Sequence, residues 1–94
     1  MVTLKGRKAH HSFLKKGFKD ERDRNHIFYY FYYNGKKTLL FTKMSHNPGD
    51  LEDWHISKMA DQLKLKKNEF VELVNCTLKE DDLISTYLTL KKIP

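Results

Sequence analysis

The segment HIFYYFYY, followed directly by Asn34-Gly35, constrains the fold of this chain more than any other feature. Seven of the eight residues in His26–Tyr33 are aromatic or β-branched, and such residues favour strands. Asn-Gly is the preferred pair for a two-residue type I′ turn, so the chain is expected to return as a second strand over Lys37–Lys43. The sequence therefore predicts a β-hairpin over 26–43.

A two-residue turn also fixes which residues of the hairpin lie opposite one another. The expected cross-strand pairs are Tyr32 with Lys37, Tyr30 with Leu39, Phe28 with Phe41, and His26 with Lys43. The face that carries Phe28, Leu39 and Phe41 is the more apolar, so we expect helices to cover it and Phe28 and Tyr30 to belong to the core. The opposite face, with Tyr29, Phe31 and Tyr33, is then an aromatic surface for RNA or for a protein partner.

Apolar residues spaced three and four apart predict a helix before the hairpin. It runs from about Arg7 to Lys16 and ends at Gly17, where a left-handed cap lets Phe18 pack back on Phe13. The charged residues that follow, near 18–24, form either a connection or a short third strand at the sheet edge.

Three helical segments are predicted after the hairpin. One starts at a cap formed by Asp50 or Asp53 and continues to about Leu65. A short helix surrounds Phe70, and a capping box that begins at Thr77 opens a last helix over 77–90. The expected fold class is α+β, a small antiparallel sheet with helices on one face and extra C-terminal helices, in a single domain over 1–94.

Charge is divided unevenly along the chain. Residues 1–45 contain 11 Lys or Arg against 3 Asp or Glu, whereas residues 46–94 contain 7 against 9. With a pI of 9.4, this pattern indicates either a face that meets a polyanion or a solvated lysine-rich surface. Nucleic acid is therefore the first partner to test.

Composition also limits the compartment. No apolar run approaches the roughly 18 residues that a bilayer-crossing helix needs, so no membrane partner is expected. The single cysteine, Cys76, leaves no internal disulfide, which fits a reducing environment. We expect a cytoplasmic protein.

Several short segments, taken in order, resemble the HicA-like family of small toxins. A basic helix ends in Lys16-Gly17-Phe18, Asn25-His26 opens a strand with its histidine nine residues after Gly17, and Ser45-His46 follows the hairpin. Members of that family are mRNA interferases with a double-stranded-RNA-binding-like (dsRBD-like) fold, and a cognate antitoxin protein inhibits them. The resemblance covers roughly residues 7–73 and implies an endoribonuclease that has RNA and an antitoxin as partners.

By this resemblance His26 takes the place of the catalytic histidine, although Arg24 and Met44 stand where the family usually has glycine and proline. Histidine titrates near neutrality and can accept the proton of an RNA 2′-hydroxyl, so no metal or cofactor is expected. Lys43, opposite His26, and Arg24 would stabilise the charge that develops at phosphorus. The alternative for His26 is an ordinary histidine at a strand end, bonded to a loop carbonyl.

Basic residues around the first helix and the hairpin ends are the expected RNA contacts. These residues are Arg7, Lys8, Lys15, Lys16, Arg22 and His46. His10 and His11 lie on the same helix, where an exposed position is favoured over phosphate contact. The acidic residues near His55 are interpreted as favourable charges at a helix start rather than a metal site.

Three functions therefore stay open at the level of sequence. The first is a metal-independent endoribonuclease that uses His26. The second is a non-catalytic dsRBD-like module that binds RNA, and the third is a protein-interaction domain that uses the aromatic sheet face. Steep salt dependence of binding separates the first two from the third.

Overall fold

Two antiparallel sheets and four helices build the protein in a computed structural model that describes residues 3–46, 49–75 and 78–93. In chain order the elements are β1 (Leu4–Lys5), α1 (Gly6–Lys15), β2 (Phe18–Arg22), β3 (His26–Tyr33), β4 (Lys36–Ser45), β5 (Asp50–Leu51), α2 (Asp53–Gln62), α3 (Lys67–Val74) and α4 (Glu80–Thr89). The main sheet has the order β2-β3-β4, and β1 pairs with β5. The predicted α+β class is confirmed, and residues 18–22 form the third strand.

The hairpin turns at Asn34-Gly35, where both residues have positive φ, as the turn prediction requires. Its register differs from the prediction because a bulge in β4 interrupts the pairing just beyond the turn. Thr38 Oγ1 donates a hydrogen bond of 2.5 Å to the Phe31 carbonyl at this point. The pairs past the bulge are Tyr30 with Phe41, Phe28 with Lys43, and His26 with Ser45. Lys43 therefore lies diagonal to His26, not opposite it.

The helices cover the face of the hairpin opposite to the one predicted. Tyr29 and Phe31 are fully buried, whereas Phe41 on the other face is 37% exposed. Phe28 and Tyr30 are only half-buried. The predictions that Phe28 and Tyr30 belong to the core, and that Tyr29 and Phe31 are exposed, are therefore wrong.

Hydrogen bonds explain why the face with more hydroxyl groups is the buried one. The hydroxyl of Tyr29 shares a hydrogen bond of 2.6 Å with His10 Nδ1. Thr42 is also fully buried, and its hydroxyl donates to Gln62 Oε1 at 2.6 Å. A buried hydroxyl group costs little when it has a partner, so apolarity alone did not decide between the two faces.

Helix α1 packs on this buried face through Phe13, whose ring centre lies 4.9 Å from that of Tyr29. Of the predicted apolar side of this helix, Ala9 and Phe13 are fully buried, whereas Leu14 is exposed. The rings of Phe13 and Phe18 lie 5.2 Å apart, and Gly17 has a φ of 92°. Both observations confirm the left-handed helix ending. A Cβ on Gly17 would lie 3.2 Å from the Phe31 ring and 2.7 Å from the carboxylate of Glu80.

Replacing Gly17 by alanine is therefore expected to destabilise the protein. The left-handed backbone alone costs an L-residue about 1–2 kcal/mol, and the contact with Phe31 adds to this. Gly35→Ala is the matched control. Gly35 also has positive φ, but a Cβ at this position would meet no atom within 4 Å beyond its chain neighbours. Urea unfolding should show the larger loss for Gly17→Ala; an equal loss would contradict the close approach.

The strands β1 and β5 were not predicted, because each has only two residues. Leu4 pairs with Leu51, both are buried, and the Gly6 N–H donates to the Gly49 carbonyl at 2.8 Å. This pairing places the start of α1 beside the chain that follows β4. It thereby forms one wall of a groove at the end of the main sheet.

The pairing of β5 also changes the start of the next helix. Asp50 lies in β5, and the N-cap residue of α2 is Glu52, without a side-chain capping bond. The prediction that Asp50 or Asp53 caps this helix is therefore wrong: the ladder with β1 keeps residues 50–51 extended, and Asp53 is already helical.

The C-terminal helices complete the core, a role that the sequence had left open. Tyr87 of α4 is fully buried, and its hydroxyl donates to the Leu63 carbonyl at 2.8 Å. α4 begins at Glu80, later than predicted, and the Lys79 N–H donates to Asp82 Oδ2 at 3.0 Å. The predicted cap residue Thr77 and its neighbour Cys76 lie outside the described residues. Among the described residues, no helix is long and apolar enough to cross a membrane.

Candidate nucleic-acid interface

A groove of about 660 Å³ lies at one end of the main sheet, next to the β1–β5 pair. We call it the end groove. Its charged and titratable lining residues include Lys5, Arg7, His10, Arg22, His46 and Asp50. Three of these are Lys or Arg and one is a carboxylate, so the end groove is positively charged.

Three residues that the sequence predicted as RNA contacts meet in the end groove. Arg7 comes from the first turn of α1, Arg22 from the last position of β2, and His46 from the segment after β4. The ring of His46 donates from Nε2 to the Asp23 carbonyl at 2.7 Å. The Arg22 side chain is 57% exposed and lies 3.8 Å from Asp20, so its charge remains open to solvent.

His10 and Tyr29 form a hydrogen-bonded pair in the end groove, with 2.6 Å between Nδ1 and the hydroxyl oxygen. Burial lowers the pKa of His10 from 6.5; Asp20 opposes this shift and Arg22 adds to it. Burial raises the pKa of Tyr29 to about 12. His10 is half-buried rather than exposed as predicted. Its place three residues before Phe13, beside the apolar stripe of α1, is the signal that could have shown this.

His10 should consequently be neutral at pH 7. We expect its ring resonances to titrate below the ordinary value of 6.5 in an NMR pH series, with the urea-unfolded protein as reference. Because the folded-state pKa is lowered, the stabilisation from neutral His10 is complete above pH 6.5 and is lost as pH falls through the folded-state pKa. A folded-state pKa at or above the unfolded value would contradict the burial of His10.

A second groove, of about 230 Å³, lies between the end of β4 and α2. We call it the edge groove. Its polar and aromatic lining residues include His26, Lys43, Trp54, His55, Lys58 and Gln62. The edge groove therefore brings the predicted catalytic pair His26 and Lys43 together, although they are not cross-strand partners.

His55 was not predicted as a site residue, yet it lines the same groove as His26. Its ring stacks on Trp54 with 3.6 Å between ring centres. Its Nδ1 atom is buried and has no hydrogen-bond partner among the described residues. His55 lies in the first turn of α2, which begins two residues after β5, and helical periodicity gave no sign that this turn would face His26.

Asp23 connects the two grooves through the loop between β2 and β3. Its carboxylate accepts the backbone N–H groups of Asn25 at 2.9 Å and His26 at 3.0 Å, and these bonds lower its pKa. Its backbone carbonyl accepts a hydrogen bond from the ring of His46. Ser45 lines both grooves, so the two grooves meet at this corner of the sheet.

The remaining predicted site residues lie elsewhere. Arg24 is exposed in the β2–β3 loop, and Lys15 is exposed at the end of α1. Lys8 donates to Asn75 Oδ1 at 3.0 Å. Lys16 is only 7% exposed and its ammonium donates to the Leu78 carbonyl at 2.5 Å, so burial makes it a structural residue and not an RNA contact.

Outside the two grooves, the described residues offer neither a second basic groove of this size nor a metal site. A groove of about 730 Å³ between the ends of α2 and α4 has lysines balanced by Asp61 and Glu69, so it lacks the charge of the end groove. Within residues 3–46, 49–75 and 78–93, no group of three or more His, Cys, Asp or Glu side chains could hold a metal ion.

Comparison of this chain with models of protein families, with characterised proteins and with solved structures found no match.

Proposed function

We propose that this protein binds RNA and that the end groove holds the phosphate backbone. The observation that carries this proposal is the convergence of Lys5, Arg7 and Arg22 in one groove from β1, α1 and β2. A groove lined by charges of one sign concentrates its field and attracts a polyanion. Arginine suits this role because its planar guanidinium can make two parallel hydrogen bonds to a phosphate.

The surrounding charge supports the same proposal. The basic half of the chain, residues 1–45, supplies all three of these cations. His46 adds a ring at the rim of the end groove, held by its bond to the Asp23 carbonyl. The test is the affinity of the wild-type protein for a labelled RNA at several salt concentrations, because contacts to phosphates weaken as salt rises.

A second candidate function is cleavage of that RNA without a metal, and the edge groove is the observation that favours it. His26 and His55 line this groove together with Lys43 and Lys58. Two histidines can supply the two proton transfers of RNA cleavage, and the lysines can stabilise charge on the phosphate. The sequence resemblance to HicA-like toxins points to the same histidine, His26.

The proposed reaction uses only groups of the RNA and of this groove. His26 accepts the proton of a 2′-hydroxyl, and the 2′-oxygen forms a bond to phosphorus. The bond from phosphorus to the 5′-oxygen breaks, and this oxygen receives a proton from His55, which enters the step as the imidazolium while His26 enters it neutral. The products are a 2′,3′-cyclic phosphate and a 5′-hydroxyl end.

An antitoxin partner and a cytoplasmic location remain predictions from the sequence.

A further inference from the structure

The side of the main sheet opposite the helices carries a group of aromatic side chains. We call this side the open face. Its outward residues on β3 and β4 include His26, Phe28, Tyr30, Tyr32, Leu39 and Phe41. Leu39 is 93% exposed and Phe41 is 37% exposed, so within the described structure this face is accessible to a ligand.

The rings of the open face form a continuous row. Phe28 and Tyr30 are nearly parallel, at 19°, with centres 6.3 Å apart. Tyr30 and Phe41 lie 5.3 Å apart at 27°. The ring of His26 follows at 6.4 Å from Phe28. Since His26 also lines the edge groove, the row leads directly to the proposed cleavage site.

Ammonium groups accompany these rings. Lys37 Nζ lies 3.8 Å from the centre of the Tyr30 ring, and Lys19 Nζ lies 4.5 Å from that of Tyr32. Lys43 is the cross-strand partner of Phe28. Lys37 also pairs with Glu21 at 2.8 Å, a bond that raises the pKa of Lys37. The open face therefore combines rings with a surplus of positive charge.

We propose that the open face binds single-stranded RNA, with bases stacked on Phe28 and Phe41 and phosphates beside Lys19 and Lys43. Stacking on aromatic rings beside cations is how proteins hold single strands, whereas the bases of a duplex are already stacked on each other and cannot reach a protein ring. The positive charge favours a polyanion over a second copy of this basic chain. This inference rests on the proposed RNA-binding function and specifies its substrate class.

The test compares Phe41→Leu with Leu88→Ala in binding to a labelled single-stranded RNA. Phe41→Leu removes a ring but keeps an apolar side chain, whereas Leu88→Ala removes exposed apolar surface from α4, outside the open face. Because each stacked base contributes about 5- to 150-fold in affinity, we expect Phe41→Leu to weaken binding about fivefold or more. Leu88→Ala should bind as the wild type does, and a duplex of the same sequence should bind more weakly than the single strand.

Other results would overturn the inference in distinguishable ways. Equal affinity for duplex and single strand, with Phe41→Leu unchanged, would refute the open face as a binding site while leaving the end groove intact. A dimer in sedimentation velocity that Phe41→Leu dissociates would assign the face to a second copy. Absence of RNA binding by the wild type would refute the proposed function as well. Phe28→Leu provides an independent variant if circular dichroism shows that Phe41→Leu is unfolded.

Discussion

Replacement of both Arg7 and Arg22 by alanine is expected to weaken RNA binding about 25-fold at 0.1 M salt. Both side chains line the end groove, and each would neutralise one phosphate. For single-stranded nucleic acid, each such contact adds about 0.7 to the slope of log affinity against log salt. The double variant should therefore lose about 1.4 from that slope, measured by fluorescence anisotropy of a labelled RNA.

The control for this variant removes the same amount of charge at a distance from the end groove. Lys64 and Lys91 have positive φ, a conformation that asparagine tolerates, so Lys64→Asn with Lys91→Asn should preserve the fold. Lys64 follows α2 and Lys91 follows α4, and neither lines the end groove. Because neither would neutralise a phosphate there, we expect their loss to leave the affinity within about twofold of wild type. Equal weakening by both double variants would show that net charge, and not the groove, binds RNA.

Replacement of His26 by alanine is expected to slow RNA cleavage by about 100- to 10,000-fold, the usual contribution of a positioned proton-transfer group. RNA affinity should stay close to wild type, because the proposed phosphate contacts are made by lysine and arginine side chains and not by His26. The assay incubates the protein with a mixed mRNA substrate in the presence of EDTA, which chelates the metal ions that metal-dependent nucleases require. Cleavage should leave 2′,3′-cyclic phosphate ends.

His11→Ala is the matched control for His26→Ala. His11 is exposed on α1 and is absent from the lining of both grooves, so its loss should not change the cleavage rate. Cleavage at the same rate by wild type and His26→Ala would contradict the role of His26. Intact RNA with the wild type, together with salt-sensitive binding, would leave RNA binding as the function without catalysis.

The local features of this fold could be predicted from the sequence because their causes are local. The turn at Asn34-Gly35 and the cap at Gly17 each depend on a residue that accepts positive φ. The buried face of the hairpin could not be predicted, since both faces are rich in aromatic residues. The buried hydroxyl groups of that face find their partners far along the chain, as Tyr29 does in His10, 19 residues away.

The candidate site, like the fold, could be predicted from the sequence only in part. Charge and the family resemblance indicated Arg7, Arg22, His26 and His46, but no pattern indicated that they would line two adjoining grooves. That arrangement depends on the pairing of β1 with β5, which involves only two residues on each strand and leaves no periodic signal. The sequence also did not distinguish Lys16 from the surface lysines. Its ammonium donates to the Leu78 carbonyl, a partner too far along the chain to leave a local signal.

The salt dependence of RNA binding by the wild-type protein tests whether the end groove holds the phosphate backbone. If Lys5, Arg7 and Arg22 each neutralise one phosphate, a plot of log affinity against log salt for a single-stranded RNA should have a slope of about −2 or steeper. No binding at 50 mM salt, or a slope near zero, would contradict the assignment of the end groove to RNA.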